Sequence, residues 1–169
     1  SGTRKNLVSV WKQQIGSYAS KSQMENLELL ANENTFTITT GHQLTLFAGP
    51  LYLVYKVLHV VRMSEEFNKS QHGHKAVPVF WMASEDHDFD EVKSAHLFNQ
   101  KLIWESEQTG PVGRFNMKDF NEVKALFSAF FEGKETEINE LLAIAEKADY
   151  ASYQQEFISK LFGEFGVLV

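Results

Sequence analysis

The chain has 169 residues, 43% hydrophobic and 22% charged, which is the composition of one ordinary globular domain that can bury a core. A formal net charge of −6 argues against a general nucleic-acid or anionic-membrane surface, and the absence of cysteine excludes disulfides, thiolate zinc sites and a cysteine nucleophile. Without a membrane-spanning apolar run or a signal-peptide core, the sequence predicts a soluble cytoplasmic domain that binds neither nucleic acid nor membranes.

Two helices are predicted at the start of the chain. Apolar residues recur at helical spacing over residues 6–18. Residues 22–31 predict a second helix, in which Ser22 is the N-cap and Glu25 completes a capping box.

A βαβ unit follows these helices. β-branched and aromatic residues predict a strand at 35–40, and the almost continuous apolar run at 76–82 predicts a strand buried on both faces. Between them, the spacing of apolar residues predicts a helix over 51–67. Phe80 and Trp81 are assigned to the core of the resulting parallel sheet.

The second half of the chain adds a β-hairpin, three helices and a last strand. They are predicted at 95–98 with 101–105, at 119–132, 135–147 and 150–164, and at 166–169. The fold class is therefore α/β, with a partial doubly wound, mainly parallel sheet flanked by helices and a possible hairpin addition. We expect a single domain, with helices in 1–34 and the α/β core in 35–169.

Both ends of the sequence suggest a fragment. Ser1-Gly2 is typical of a residue pair left by tag removal, and the apolar run at 166–169 stops without a polar tail. A terminal strand of four residues is shorter than the usual strand. The sequence is therefore expected to be part of a longer protein.

Polar clusters follow both strands of the predicted βαβ unit. Residues 41–43 come after the first strand, and residues 84–88 come after the second. Ligands of open α/β sheets bind beyond the carboxyl ends of the strands, and these ends lie at the same edge of a parallel sheet. The two clusters are therefore predicted to face one cleft.

The first cluster is predicted to bind an anion. His42 and Gln43 can donate hydrogen bonds to an anionic oxygen, with help from backbone amides at the start of the next helix. Gly41 allows the backbone to approach a ligand closely. The alternative for His42 is that it caps a turn or a helix.

The second cluster is predicted to supply acid–base chemistry. His87 lies between Asp86 and Asp88, and a carboxylate could hold its ring in one tautomer as a general base. Glu85 is an alternative base or the partner of a substrate ammonium group. The alternative for the cluster is a solvated acidic loop or a helix N-terminus rich in carboxylates.

Two further residues are assigned to the wall of the cleft. Tyr52 and Lys56 are one helical turn apart in the predicted helix. No metal is predicted, because the spacing of His42, His87 and the carboxylates matches no standard metal motif. Phosphate-loop and dinucleotide signatures are absent from the sequence, which leaves any cofactor open.

Two long motifs carry a family resemblance. TGHQLTLFAGPLYLVYK at 40–56, followed by PVFWMASEDHDFDEV at 78–92, resembles the BshC family of cysteine-adding enzymes in bacillithiol biosynthesis. The resemblance implies a Rossmann-like core. It covers nearly all of this chain but only part of the family, whose coiled-coil and C-terminal regions are absent here.

The resemblance implies a ligase that joins the carboxyl group of L-cysteine to the amine of glucosaminyl-malate. It also implies a homodimer for the full-length protein, and ATP as a possible activator that no phosphate-loop motif supports. By analogy with class I nucleotidyl transferases, His42 would steady phosphoryl charge. The alternatives are a non-catalytic domain that binds a small ligand, and an adenylating enzyme with another acceptor.

Overall fold

The structure, a computed structural model, describes residues 2–70, 73–97, 99–131, 135–142, 144 and 147–169, without the side chains of 135–137. The helices are α1 (Gly2–Ile15), α2 (Lys21–Leu30), α3 (Leu51–Ser70), α4 (Phe89–Val92), α5 (Phe120–Ala129), α6 (Glu135–Leu142) and α7 (Tyr150–Phe162). The strands are β1 (Thr35–His42), β2 (Lys75–Met82), β3 (Ser94–Leu97) and β4 (Gln100–Ile103). Short 3₁₀ helices lie at Leu46–Ala48, Val112–Arg114 and Gly163–Phe165. This arrangement confirms the predicted α/β class.

The chain divides into two compact units. The first unit contains Ser1–Gly41, Leu53–Trp81 and Ile158–Val169, and the second contains His42–Tyr52 and Met82–Phe157. Each unit has its own core. The predicted single domain, with helices in 1–34 and an α/β core in 35–169, stays a prediction.

The sheet of the first unit consists of β1 and β2, with the end of the chain beside β2. The Lys75 amide, at the start of β2, donates to Asn34 O, just before β1, at 3.0 Å. On the other edge of β2, Leu168 N donates to Pro78 O at 3.0 Å and its oxygen accepts from Phe80 N at 2.8 Å. The predicted parallel strand at 166–169 is thus a single parallel bridge, because Gly166 still belongs to a turn, with φ of 75°.

Helices border both faces of β2. Val77 and Val79 pack into a cluster with residues of α1 and α2, namely Val8, Ile15, Leu27 and Leu30. Ala76 and Pro78 point to the opposite face by strand alternation, and there they lie beside Val61 and Ser64 of α3. This burial on both faces explains the continuous apolar run in the sequence.

The prediction of a buried Trp81 is wrong. Phe80 is buried, but Trp81 is 62% exposed near the end of β2. Gly41 of β1 lies against the Trp81 side chain, since a Cβ built on Gly41 would be 3.6 Å from Trp81 Cβ. A glycine has no side chain with which to cover the indole, and the ring therefore stays in solvent.

The predicted capping box of α2 is displaced by two residues. The N-cap is Ser20, whose Oγ accepts from Gln23 N at 3.1 Å, while Gln23 Oε1 accepts from Ser20 N at 3.0 Å. Ser22 lies inside the helix. The tertiary structure selects Ser20, because Ser20 Oγ also donates to Gly163 O at 2.6 Å and Gln23 Nε2 donates to Val167 O at 2.7 Å.

The second half of the chain confirms the predicted hairpin and the three predicted helices, with shorter bounds, and α7 is divided between the two units after Phe157. β3 and β4 pair antiparallel from Ser94↔Ile103 to Leu97↔Gln100. Trp104, predicted at the end of the hairpin, lies beyond β4. Predicted positions 98, 132, 143 and 145–146 lie outside the described residues.

An aromatic core holds the second unit together. The fully buried Trp104 ring lies 5.2 Å from Phe89 and 4.7 Å from Tyr150 between ring centroids. Phe89 also contacts Phe115, with 5.0 Å between centroids. Aromatic pairs at such distances stabilise a core beyond their buried area. This core therefore holds three segments together: the start of α4 at Phe89, Trp104 just after β4, and Phe115 just after the 3₁₀ helix at Val112–Arg114.

A strained turn follows the first polar cluster. Phe47 and Ala48 have φ of 51° and 56°, a conformation that is unusual for a bulky side chain. The Phe47 ring stacks on Phe127 at 4.0 Å and lies 5.8 Å from Phe120. We infer that this packing compensates for the unfavourable backbone.

Gln23→Ala should destabilise the first unit by about 2–4 kcal/mol, because it leaves Val167 O and Ser20 N without their partners and opens a cavity in the core. Urea unfolding followed by circular dichroism measures the loss. The matched control is Gln14→Ala on the exposed side of α1, where about 0.5 kcal/mol or less is expected. Equal losses in the two variants would contradict the structural role of Gln23.

Candidate functional site

The first cluster begins inside a strand. β1 extends to His42, two residues beyond its predicted end, so that Gly41 and His42 are its last residues. In the second unit, His42 O accepts from Ala83 N at 3.0 Å, and the half-buried His42 ring meets Tyr52 edge-on at 6.4 Å. His42 Nδ1 lies 3.3 Å from Gln43 O.

Gln43 connects the two clusters within the second unit. Its Nε2 atom donates one hydrogen to Asp86 Oδ2 at 2.9 Å and the other to Glu91 Oε2 at 2.8 Å. The two motifs that lie about forty residues apart in the sequence therefore meet through one amide group. Glu91 was not assigned to the site from the sequence, although the acidic run at 85–91 contains it.

Asp86 is surrounded by hydrogen-bond donors. Its Oδ1 accepts from Asp88 N at 2.9 Å, and its Oδ2 accepts from Gln43. The Asp88 amide first, and then the Gln43 side chain, lower the pKa of the Asp86 carboxyl below its ordinary value. The carboxylate form of Asp86 is thus the form that this loop favours.

Asp88 has a structural position. It is the N-cap of α4, where its Oδ1 accepts from Glu91 N at 3.2 Å. For Asp88, this confirms the alternative of a helix N-terminus rich in carboxylates. The next acidic residue, Asp90, pairs with Lys93 at 2.6 Å.

His87 and Glu85 point into solvent. Both side chains are exposed, and within the described ranges the His87 ring forms no hydrogen bond with Asp86 or Asp88. The two carboxylates accept from main-chain amides and from Gln43 instead. The predicted orientation of His87 by an aspartate is therefore not formed here, and its role as acid or base stays a prediction, as does the role of Glu85.

Gly41 and Lys56 belong to the first unit. Lys56 Nζ donates to Gly41 O, which attaches the first half of α3 to the end of β1. Tyr52, one turn earlier, belongs to the second unit and is 63% exposed beside His42. Ligand binding by these three residues stays a prediction.

Gly113 contacts the main chain of the acidic loop at Ser84. Gly113 N donates to Ser84 O at 3.1 Å, and Val112 N donates to Asp86 O at 2.8 Å. A Cβ built on Gly113 would lie 2.6 Å from Ser84 O, closer than real side chains come. Residue 113 must therefore be glycine for the loop to keep this position, a requirement that no local sequence signal announced.

The described residues contain no group of three or more histidines, aspartates or glutamates arranged to hold a metal ion. None of the described helices is long and apolar enough to cross a membrane.

Comparison with known proteins places the chain in a family. Residues 1–169 match the family model described as "Bacillithiol biosynthesis BshC, N-terminal Rossmann-like domain". The chain belongs to the BshC family. The match confirms the Rossmann-like fold class and the family resemblance of the two motifs.

The BshC relatives are bacterial proteins that are much longer than this chain. A protein of Flavobacterium johnsoniae is 38% identical over 96% of the chain, one of Flavobacterium psychrophilum 35% over 98%, and one of Cytophaga hutchinsonii 41% over 89%. Each is named "Putative cysteine ligase BshC". The chain spans about a third of their length, between 28% and 32%.

Gln43→Ala should raise the pKa of Asp86 towards its ordinary value, because the carboxylate loses one of its donors while keeping the Asp88 amide. NMR titration of the Asp86 carboxyl carbon measures the shift. Asp90 is the matched control, since Lys93 lowers its pKa and Gln43 does not contact it. An unchanged pKa at Asp86, or an equal rise at Asp90, would contradict the Gln43–Asp86 bond.

Proposed function

We propose that this chain is the N-terminal part of a cysteine ligase that joins L-cysteine to glucosaminyl-malate in the last step of bacillithiol biosynthesis. The observation that carries the proposal is the bond from Gln43 to Asp86, since it joins both family motifs in one unit. The names of the relatives support a ligase that acts on small molecules.

The reaction condenses a carboxylate with an amine to form an amide and water. The ammonium form of the amine must lose one proton to solvent before its nitrogen attacks the carboxyl carbon and a second proton to a base as the amide forms, and one carboxyl oxygen must leave. ATP is the candidate activator, in which case that oxygen leaves within the phosphoryl product and not as free water. The site must therefore hold a cation, an anion and a base.

The acidic loop suits the amine. Glu85 has an exposed carboxylate that forms no ion pair within the described part of the chain, and we assign it to the substrate ammonium group. His87, two residues later, is also exposed. We assign it as the base that takes a proton from the attacking amine. Asp86 and Asp88 shape the loop that presents both side chains.

The end of β1 suits the anion. His42 is half-buried and is assigned to a carboxylate or phosphoryl oxygen of the substrate, with Tyr52 beside it. Both hydrogens of the Gln43 amide are already donated to carboxylates. We therefore assign Gln43 a positioning role, and Gly41 and Lys56 the support of the strand end.

The test uses the protein at the full length of its relatives, with mass spectrometry of a reaction that contains L-cysteine and glucosaminyl-malate, with and without ATP. His87→Ala should lower the rate by about 10²–10⁴-fold, the usual effect of losing a general base. His42→Ala should lower it as well. His59→Ala on α3 and His96→Ala on β3 replace exposed histidines outside the two motifs and should leave the rate unchanged.

Three other outcomes would contradict the proposal or favour an alternative function. Product that persists in both His42→Ala and His87→Ala would move the chemistry away from the two motifs. No product under any condition would favour a domain that only binds a small ligand. Cysteine-dependent pyrophosphate exchange without use of glucosaminyl-malate would favour an adenylating enzyme with another acceptor.

A homodimer and a cytoplasmic location of the full-length protein also belong to this proposal. Both come from the family resemblance and the composition, and both stay predictions.

A further inference from the structure

A cavity of about 210 Å³ lies in the second unit, outside both polar motifs. It is bordered by residues 116–124, which include the start of α5, and by residues 144–153, which include the start of α7. The polar side chains on its wall are those of Asn116, Lys118, Asn121, Lys124, Lys147 and Tyr153. Within the described part of the chain, no aspartate or glutamate lines this cavity. Its wall is therefore positively charged, although the whole chain has a formal net charge of −6.

The three lysines of the cavity differ in their partners. Lys147 Nζ pairs with Glu156 Oε2 at 2.6 Å, and the two side chains are only 24% and 10% exposed, so that the protein itself balances this charge. Lys118 and Lys124 form no ion pair with any residue that the structure describes. Asp119 follows Lys118 in the sequence but does not line the cavity. Two ammonium groups at the cavity therefore have no anionic partner among the described residues.

Tyr153 brings a buried hydroxyl to the cavity wall. The residue is 2% exposed, and its hydroxyl has no hydrogen-bond partner among the described residues. The neighbouring Tyr150 differs, because its hydroxyl accepts from Gln154 Nε2 at 2.5 Å. A buried hydroxyl without a partner costs free energy, and most such groups in proteins are paired. Burial raises the pKa of the Tyr153 hydroxyl, which therefore keeps its proton and can donate it.

The start of α5 lies at the same cavity. Lys118 precedes the N-cap residue Asp119, and Asn121 is in the first turn of the helix. The Asp119 side chain forms no capping hydrogen bond, and so it does not serve as the acceptor for the first-turn amides. The N-terminal end of a helix carries a partial positive charge that attracts anions. The helix therefore adds to the positive potential that the lysines create.

We propose that this cavity binds the phosphate group of a small molecule, either inorganic phosphate or a small phosphate monoester. A monoester carries about two negative charges at neutral pH and has three acceptor oxygens. Lys118 and Lys124 balance the two charges, and the Tyr153 hydroxyl donates a hydrogen bond to one oxygen. A single carboxylate would leave one of the two lysines unbalanced. Met117 and Ile144 supply an apolar part of the wall for the organic group of a monoester.

This binding site shares no residue with the site proposed for the ligase reaction. Its lining lies within residues 116–153, whereas the two family motifs lie at 40–56 and 78–92. The inference therefore stands whether or not the proposed reaction is correct, and direct binding measurements test it without any assay of activity.

An NMR titration of the 169-residue chain tests the proposal. Inorganic phosphate and glycerol 3-phosphate are added in separate experiments, with sodium chloride keeping the ionic strength constant. The backbone amide signals of Lys118, Asn121 and Lys124 should shift along one saturating curve. The probe with the lower Kd shows whether the cavity prefers free phosphate or a monoester. The proposal is overturned if neither probe gives a saturable shift at these residues.

Malate separates phosphate from carboxylate chemistry. It also carries two negative charges, but they lie on two separate carboxylates. It should therefore bind more weakly than the better of the two phosphate probes. Malate that shifts the same amides with a lower Kd than both phosphate probes would overturn the assignment to a phosphate group.

Lysine variants separate this site from a general effect of charge. Lys118→Gln and Lys124→Gln should each weaken phosphate binding by about tenfold, the usual order for losing a charged hydrogen bond. Lys101→Gln is the matched control, because it removes the same charge from an exposed lysine of β4 that does not line the cavity. It should leave the Kd unchanged. Equal weakening in all three variants would contradict the proposal.

Tyr153→Phe separates ligand binding from packing. It removes only a hydroxyl without a partner among the described residues, so the melting temperature in the absence of phosphate should not fall. Phosphate binding should weaken by about tenfold. Tyr150→Phe removes a hydroxyl that accepts from Gln154, and it should lower the melting temperature without changing the Kd. Unchanged phosphate binding in Tyr153→Phe would overturn the donor role of Tyr153, and the titration of the unsubstituted chain decides the proposal if a variant does not fold.

Discussion

The candidate site depends on one amide group. Asp86 and Glu91 both lie within hydrogen-bond distance of Gln43 Nε2, and two carboxylates this close to a common point would otherwise repel each other. Each hydrogen of the Gln43 amide group forms a hydrogen bond with one of the two carboxylates. Glutamine suits this position because its donors are neutral and lie at the end of a side chain long enough to reach from the strand end to the acidic loop. The remaining acidic side chains of the loop are then directed towards solvent.

The rest of the second unit holds the acidic loop in position. Gly113 approaches Ser84 more closely than any other residue could. The Trp104 core holds Phe89, which follows the acidic loop in the sequence, and Phe115, which follows Gly113. The positive φ of Phe47 is maintained by stacking on Phe127. The polar site therefore rests on an apolar scaffold, and its precision comes from residues that carry no reactive group.

In the first unit, the two edges of the sheet differ in the side chains that contact them. Gln23 and Trp11 donate to the main-chain oxygens of Val167 and Val169, the residues on either side of Leu168. The middle of β1 has no such donors among the described residues.

The sequence by itself determined the βαβ unit, the hairpin, the three later helices and the pairing of the two polar motifs, because period, β-branching and turn residues are local properties. The tertiary structure decided the rest. Ser20 rather than Ser22 caps α2, because only Ser20 and Gln23 also reach Gly163 and Val167. Trp81 is exposed because its neighbour on the adjacent strand is Gly41, which has no side chain to cover the indole. Glu91 joins the site because Gln43 has a second hydrogen to donate. Each of these outcomes depends on a partner distant in the chain, and such a partner is not visible in local sequence.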